Sequence, residues 1–467
     1  MKKRLLSCIV VLCMLLTTIL AGCGSSGKET KEETKKETKE ETKEEAKEEA
    51  KEETKDESNG SAKTEKEIHF ACWWSEAEIE IAQKWLDENF TPESGIKVVI
   101  DYYPYDGFTQ KMLSMIAADS APDLFIAEEP SFAAYYNANV LLSLSDYCER
   151  DGIDLTSTHE GTSNYVCEGE LYGYPFWYGC TYMFVNTDMV EAAGYEVPRD
   201  HWTWDELREI SLACTNEEDG TYGFVQYFHS GSHMWYYLNG ASVFNDDFSE
   251  CTINSNAMVN AMEFNRKLIY EDKVSPEPSL YATTPADTMF RDGKAAFMLN
   301  GTWATNYLRS VSDQIDFNWD VIYAPNGPDS NGKETISWTG PIVVPASAKD
   351  PDACWEFLKY WSTSEGINAL TVGAMSAFPV TEETIEMEEY YTYPEQLPKS
   401  FNKEFITHLI EDAVPENFSH VYFNENVNNA MLSIQDILLE NKDAQKVCDD
   451  AYDAIMAEWD NIVSIPQ

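Results

Sequence analysis

Tryptophans and tyrosines beside polar turns, set among many carboxylates, are the residues of this chain whose types could do chemistry. Trp73, Trp74, Trp177, Tyr178, Trp235, Trp303 and Trp338 fall at the ends of apolar runs or in the turns that follow them. Ser75, Glu76, Glu128 and Gly340 stand beside or between them. Such a set suits a ligand with an apolar C–H face and a rim of hydroxyls. Rings stack on the face, and carboxylates accept hydrogen bonds from the rim. That is the chemistry of a carbohydrate. Each of these aromatics has an equal claim to a packed core. Trp202, Trp204, Trp355 and Trp361 lie in helical apolar patterns and read as core. The adjacent pair Glu128 and Glu129 raises a rival, the acid and base of a surface glycoside hydrolase. Neighbours in a strand point to opposite faces, and acids are so abundant here that such pairs are expected by chance. The chain has no Gly-x-Ser-x-Gly or His-Glu-x-x-His motif and no phosphate-cradling glycine loop. No catalytic residue, cofactor or metal is expected.

A second site of chemistry is the thiol of Cys23. Lys2, Lys3 and Arg4 precede a short apolar run from Leu5 to Leu20, and Ala21-Gly22-Cys23 follow. This is the order of an export signal, and the run is shorter than the ~20 residues of a spanning helix. The segment Leu20-Ala21-Gly22-Cys23 resembles the lipobox of bacterial lipoproteins. That resemblance implies a signal peptide over residues 1–22, cleavage before Cys23 and acylation of its thiol. Residues 23–66 then form a tether. Residues 28–57 repeat Lys-Glu-Glu-Thr and Lys-Glu-Glu-Ala with almost no apolar side chains, so they cannot bury a core. Fully helical, the repeat would reach on the order of 50 Å.

The remaining ~400 residues suffice for two or three domains. The net charge of −49 lies almost entirely there, because lysine and glutamate nearly cancel in the tether. This excludes nucleic acid as a partner and disfavours anionic ligands. Eight cysteines lie beyond residue 66, none at zinc-finger spacing, and they read mostly as buried free thiols. The elements that must position the aromatics alternate. Strands are expected over 67–73, 95–102 and 123–127, with helices over 77–89 and 105–119. That alternation implies an α/β fold with parallel pairing, in which ligands bind beyond the carboxyl ends of strands. Thr203 with Glu206 reads as a capping box. Further helices are expected over 352–361 and 425–460.

In order along the chain, these features resemble the maltose-type extracellular solute-binding proteins of ABC importers. They are the Trp73-Trp74 strand and its helix, Ala121-Pro122-Asp123-Leu124-Phe125, Gly173-Tyr174-Pro175, Thr203-Trp204-Asp205-Glu206-Leu207, Phe290–Phe297 with Gly293, Gly301-Thr302-Trp303, Trp338–Gly340 and Ala353–Gly366. The resemblance implies a two-lobed clamp of the type II periplasmic-binding-protein kind. Its hinge would have about three crossings, near 179–182, 319–323 and 376–380. The first lobe would combine 67–180 with 322–376, and the second 181–321 with 377–467. A non-catalytic monomer is implied, lipid-anchored on the extracellular face of the cell membrane and handing a sugar to ABC permease subunits; the long tether and low basic content point to a Gram-positive surface. A sensor or adhesion lipoprotein with the same clamp is the alternative. The expected pocket is Trp73, Trp74, Ser75, Glu76, Glu128, Trp177, Tyr178, Trp303, Trp338 and Gly340. Trp303 would be the main stacking platform, and Gly340 would let backbone approach the ligand.

Overall fold

The computed structural model describes residues 66–155, 162–199, 201–227, 231–333, 335–361, 398, 400–415, 420 and 422–464. Cys23, the tether and the expected third crossing at 376–380 lie outside them. The chain opens with β1 (Lys66–Cys72), α1 (Glu76–Trp85), β2 (Ile96–Tyr102), α2 (Phe108–Ala117), β3 (Leu124–Ile126) and α3 (Glu129–Asn137). β1 pairs in parallel with both β2 and β3, as the alternation requires. Then comes β4 (Tyr174–Asn186), a strand of 13 residues. After it run α4 (Trp204–Cys214), β5 (Tyr222–Gln226), α5 (Gly231–Leu238), α6 (Asn256–Tyr270), α7 (Ala286–Arg291), β6 (Ala295–Gly301), α8 (Trp303–Ser310) and β7 (Trp319–Ile322). The chain continues through β8 (Thr335–Val343), α9 (Pro351–Trp361), α10 (Lys403–Asp412), β9 (Ala413–Pro415), α11 (Glu425–Ile434) and α12 (Ala444–Ala457).

The strands join in one nine-stranded sheet ordered β2-β1-β3-β8-β4-β6-β5, with β7 on β4 and β9 on β8. β4 is the element that links its two halves. Residues 174–180 pair antiparallel with β8. Residues 181–186 pair instead with β6 and β7. Pro175 and Gly179 lie inside β4 and normally weaken a strand. Here a cross-strand indole covers the glycine, since Gly179 pairs with Trp338.

Both faces of the second half are covered, so β4 reads as a continuous apolar run rather than an alternating one. Its period of two sorts residues to opposite layers. Tyr178, Cys180, Tyr182 and Phe184 pack in a cluster with Phe290, Phe405 and Leu409. Met183 and Val185 join the larger core that also holds Trp204, Trp235 and Phe297. Trp235 is therefore core, stacked edge-on against Trp204 at 5.3 Å. Trp202, Trp355 and Trp361 are buried as expected. The expected capping box forms at α4: Glu206 N donates to Thr203 Oγ1, and Thr203 N donates to the Glu206 carboxylate. α11 and α12 pack with each other, and α12 packs on α6. All eight described cysteines are unpaired, seven of them buried. Burial pushes the Cys72, Cys167 and Cys448 thiols up to about 12, which marks them as packing groups rather than nucleophiles.

β7, expected at the second crossing, pairs wholly with residues 183–186 of β4. The following loop stays with the same half. Trp204 N donates to Asn326 O, and Asn239 and Asn260 both donate to the Asp329 carboxylate. The chain reaches the first half at β8, whose residues 337–342 pair with residues 174–180 of β4.

Candidate functional site

The seam between the two halves of the sheet is where the predicted aromatics gather. On one face of the β4–β8 pair, Trp177 lies opposite Gly340 and Trp338 opposite Gly179. The two indoles mesh over the two glycines. A Cβ on Gly340 would sit 1.9 Å from Trp177 Nε1, and one on Gly179 would sit 2.6 Å from Trp338 Nε1. Gly340 thus makes room for the Trp177 ring, not for a ligand beside its backbone. Trp303 extends the surface. It opens α8 directly after β6, folds back over Gly301, and lies 5.4 Å from Trp338 and 5.1 Å from Tyr227. Trp177, Trp338, Trp303 and Tyr227 are all half-buried, each with part of its ring open to solvent.

The first half of the sheet supplies a facing group. β1 ends at Cys72, and the next two residues part company as strand geometry dictates. Trp74 turns inward onto Phe70, Phe176 and Trp361 and is 9% exposed. Trp73 stays half-exposed, edge-on to Tyr105 at 5.5 Å and to Phe108 at 4.9 Å. Tyr105 donates from its hydroxyl to Glu128 Oε2 at 3.1 Å. Glu128 follows β3 and caps α3, where its backbone N–H donates to Ser131 Oγ at 3.0 Å. Ser75 caps α1. Its hydroxyl donates to Glu78 Oε2 at 2.7 Å and accepts from Glu78 N at 3.3 Å, so this group serves the helix start. Glu76 is exposed in the first turn of α1.

The predicted set therefore divides. Trp73, Glu128, Trp177, Trp303 and Trp338 lie on half-buried surface. Trp74 and Tyr178 are instead packed in the core, because β1 and β4 turn those rings inward. Tyr105, Tyr227 and Asp287 were not anticipated. Tyr227 directly follows β5, and its backbone N–H donates to Leu299 O. Burial pushes its hydroxyl up to about 12, helped by Glu128, Asp287 and Asp106. Burial, then Glu128, also raises Tyr105. Each tyrosine hydroxyl stays neutral at ordinary pH and remains a donor. Trp338, on β8, and Trp303, at the start of α8, bring rings from the two halves of the sheet to 5.4 Å of each other. Asp287, at the start of α7, accepts from Thr288 N at 2.7 Å, and burial raises its carboxyl above the usual range. The signal for Tyr105 was available, because Tyr103-Pro104-Tyr105-Asp106-Gly107 follows the carboxyl end of β2.

The arrangement provides ring faces, carboxylate acceptors and phenolic donors. Among the described residues no cluster of three metal-ligating side chains occurs. A surface depression of about 610 Å³ lies elsewhere, along Glu191, Tyr195, Arg199 and Trp319. It carries no aromatic pair across the two halves, so the chemistry points to the seam.

Comparison with known proteins agrees with this geometry. Residues 85–399 match the bacterial extracellular solute-binding protein family. The arabinooligosaccharide-binding protein of Bacillus subtilis is 23% identical over 370 residues, which is 78% of this chain and 77% of that protein. An ABC substrate-binding protein of Listeria monocytogenes, solved in complex with cycloalternan, superposes with a TM-score of 0.73 at 20% identity. It covers 84% of this chain and 98% of its own. Maltose-bound MalE3 of T. maritima gives 0.71 at 19% identity, over 84% and 99% of the two chains. The fold is the two-lobed α/β clamp of these proteins, and the chain belongs to the bacterial extracellular solute-binding protein family.

Proposed function

We propose that this protein captures a carbohydrate, an oligosaccharide in particular, outside the cell and delivers it to the permease of an ABC importer. The observation that carries this is the row Tyr227–Trp303–Trp338 beside the Tyr105–Glu128 pair: ring faces for a sugar's C–H surface, next to a donor and an acceptor for its hydroxyls. The ligands named for its relatives are of the same kind: arabinooligosaccharide, cycloalternan and maltose. β4 crosses between two lobes, and strand pairing supports drawing the second lobe from about 181 through 333 together with α11 and α12. The first lobe then takes 67–180 with β8 and α9. Ligand contacts made only when the lobes approach drive closure, and the permease reads the closed state. The protein binds without turnover and acts as a monomer. Titration against a panel of sugars, amino acids, peptides and polyamines tests this: saturable binding to a sugar supports it, and hydrolysis of a glycoside without a binding plateau moves the reading to a hydrolase.

The anchor is part of the same proposal. Acylation of Cys23 and the Lys/Glu tether hold the binder at the membrane's outer face. One acyl chain gives only marginal binding, so more than one is needed. In cells producing the full chain, Cys23→Ser is expected to move the protein from the membrane fraction to the medium, or to leave it unprocessed. A substituted protein that is processed and survives washing on the membrane contradicts the anchor.

A further inference from the structure

We propose that Gly179, Gly301 and Gly340 are positioning residues for saccharide binding: each seats a tryptophan of the site against the sheet and so sets where its ring meets a ligand. The effect on affinity rests on the carbohydrate reading, whereas the seating of the rings stands without it.

The three glycines come from three neighbouring strands and lie on one face of the sheet. Gly340 of β8 is opposite Trp177 of β4, Gly179 of β4 is opposite Trp338 of β8, and Gly301 of β6 is opposite Thr181 of β4. Opposite residues share a face, as do residues two apart along a strand, so residues 177, 179 and 181 of β4 put all three glycines on the same side. A Cβ on Gly301 would sit 2.3 Å from Trp303 Cζ3 and 2.4 Å from its Cη2. At Gly340 the nearest atoms all belong to Trp177, and at Gly179 they belong to Trp338 and then Trp177. Each indole thus occupies the space a side chain would take and comes down to the strand backbone.

None of the three glycines has the left-handed backbone that glycine alone adopts readily. Space for a ring, not backbone conformation, is what calls for glycine at these positions. Glycine weakens a strand interior, and a covering aromatic ring offsets that cost. The atoms met are ring atoms in every case, whereas a Cβ on Gly223 would meet the Ser211 backbone. A ring can swing away about its side-chain torsions. A methyl group at these three positions therefore lifts an indole and leaves the sheet in place. Trp303 and Trp338 are half-buried and 5.4 Å apart, so lifting either one breaks the surface they share. A displacement of about an ångström forfeits much of the dispersion contact with a sugar's C–H face.

The test is a double-substitution cycle on the full chain, with maltotriose and arabinotriose as probes and near-ultraviolet circular dichroism as a second readout. Gly179→Ala and Gly301→Ala are each expected to weaken sugar binding by about tenfold, within the loss from deleting one ring. In a Trp303→Ala background, Gly301→Ala should change affinity by less than about twofold, because the glycine acts through that ring. A full further loss in that background overturns the proposal, as does unchanged affinity in both glycine variants. The tryptophan band of the dichroism spectrum needs no ligand. Both glycine variants should alter it while the far-ultraviolet spectrum holds, and Gly301→Ala should add nothing once Trp303 is gone. An unaltered band in both variants overturns the seating. If neither sugar binds, the affinity effect falls with the carbohydrate reading, and the band alone decides the seating. If Gly301→Ala fails to fold, the double variant with Trp303→Ala is expected to fold like Trp303→Ala, since the clash is gone. A double variant that also fails overturns the proposal.

Discussion

Trp303→Ala and Trp338→Ala are each expected to weaken saccharide binding by about 1–3 kcal/mol, the scale of burying one large apolar group, or roughly 5- to 150-fold in dissociation constant. The two rings lie 5.4 Å apart, so they share a surface. The double variant should therefore lose less than the sum of the singles. Trp74→Ala is the informative contrast. It removes a buried ring packed on Phe70, Phe176 and Trp361, so it should destabilise the fold by about 3–5 kcal/mol. Calorimetric titration with denaturant melts on all three variants separates the cases. Unchanged affinity in both Trp303→Ala and Trp338→Ala, with the fold intact, removes the stacking claim.

Gly223→Ala is expected to cost about 3 kcal/mol or more of stability. Gly223 lies in β5 where α4 crosses it, and a Cβ there would sit 2.1 Å from Ser211 O and 2.4 Å from Ser211 Cα. Those atoms belong to the helix backbone and cannot swing aside as a side-chain end can. Either α4 lifts from the sheet or the strand shifts, and both open the core around Leu207 and Phe224. Tyr227 directly follows β5, so the site should lose affinity with the stability. A denaturation midpoint equal to wild type contradicts this close packing.

The alternation of strands and helices in the first hundred residues of the globular part was legible because each element is local. Ser75 and Thr203 announce helix starts through their own side chains, and Gly95 ends its helical segment at φ 72°. Long-range pairing was not legible. β4 contains a proline and a glycine that break a strand in isolation, and only Trp338 from β8, over a hundred and fifty residues later, explains why Gly179 is tolerated. The second crossing, near 319–323, was implied by the family resemblance and by no local feature. Its pairing with residues 183–186 is decided by neighbours distant in sequence.

The site was half legible for the same reason. Residue type pointed correctly to tryptophans beside strand ends, but not to which of Trp73 and Trp74 turns inward. That depends on which face of β1 meets α9, the helix that carries Trp361. Tyr105, Tyr227 and Asp287 come from three separate elements. Only Tyr105 follows a strand end that the sequence could flag, and only folding brings Tyr227 against Trp303.

The most direct test of the account is a calorimetric screen of the full chain against neutral, amine-bearing and acidic oligosaccharides, alongside amino acids, peptides and polyamines, with tryptophan fluorescence read in parallel. The account predicts saturable one-site binding to an oligosaccharide, a fluorescence change that Trp303→Ala diminishes, and no cleavage of the bound sugar. Saturable binding only to a non-carbohydrate solute, or steady release of cleaved sugar, would contradict it.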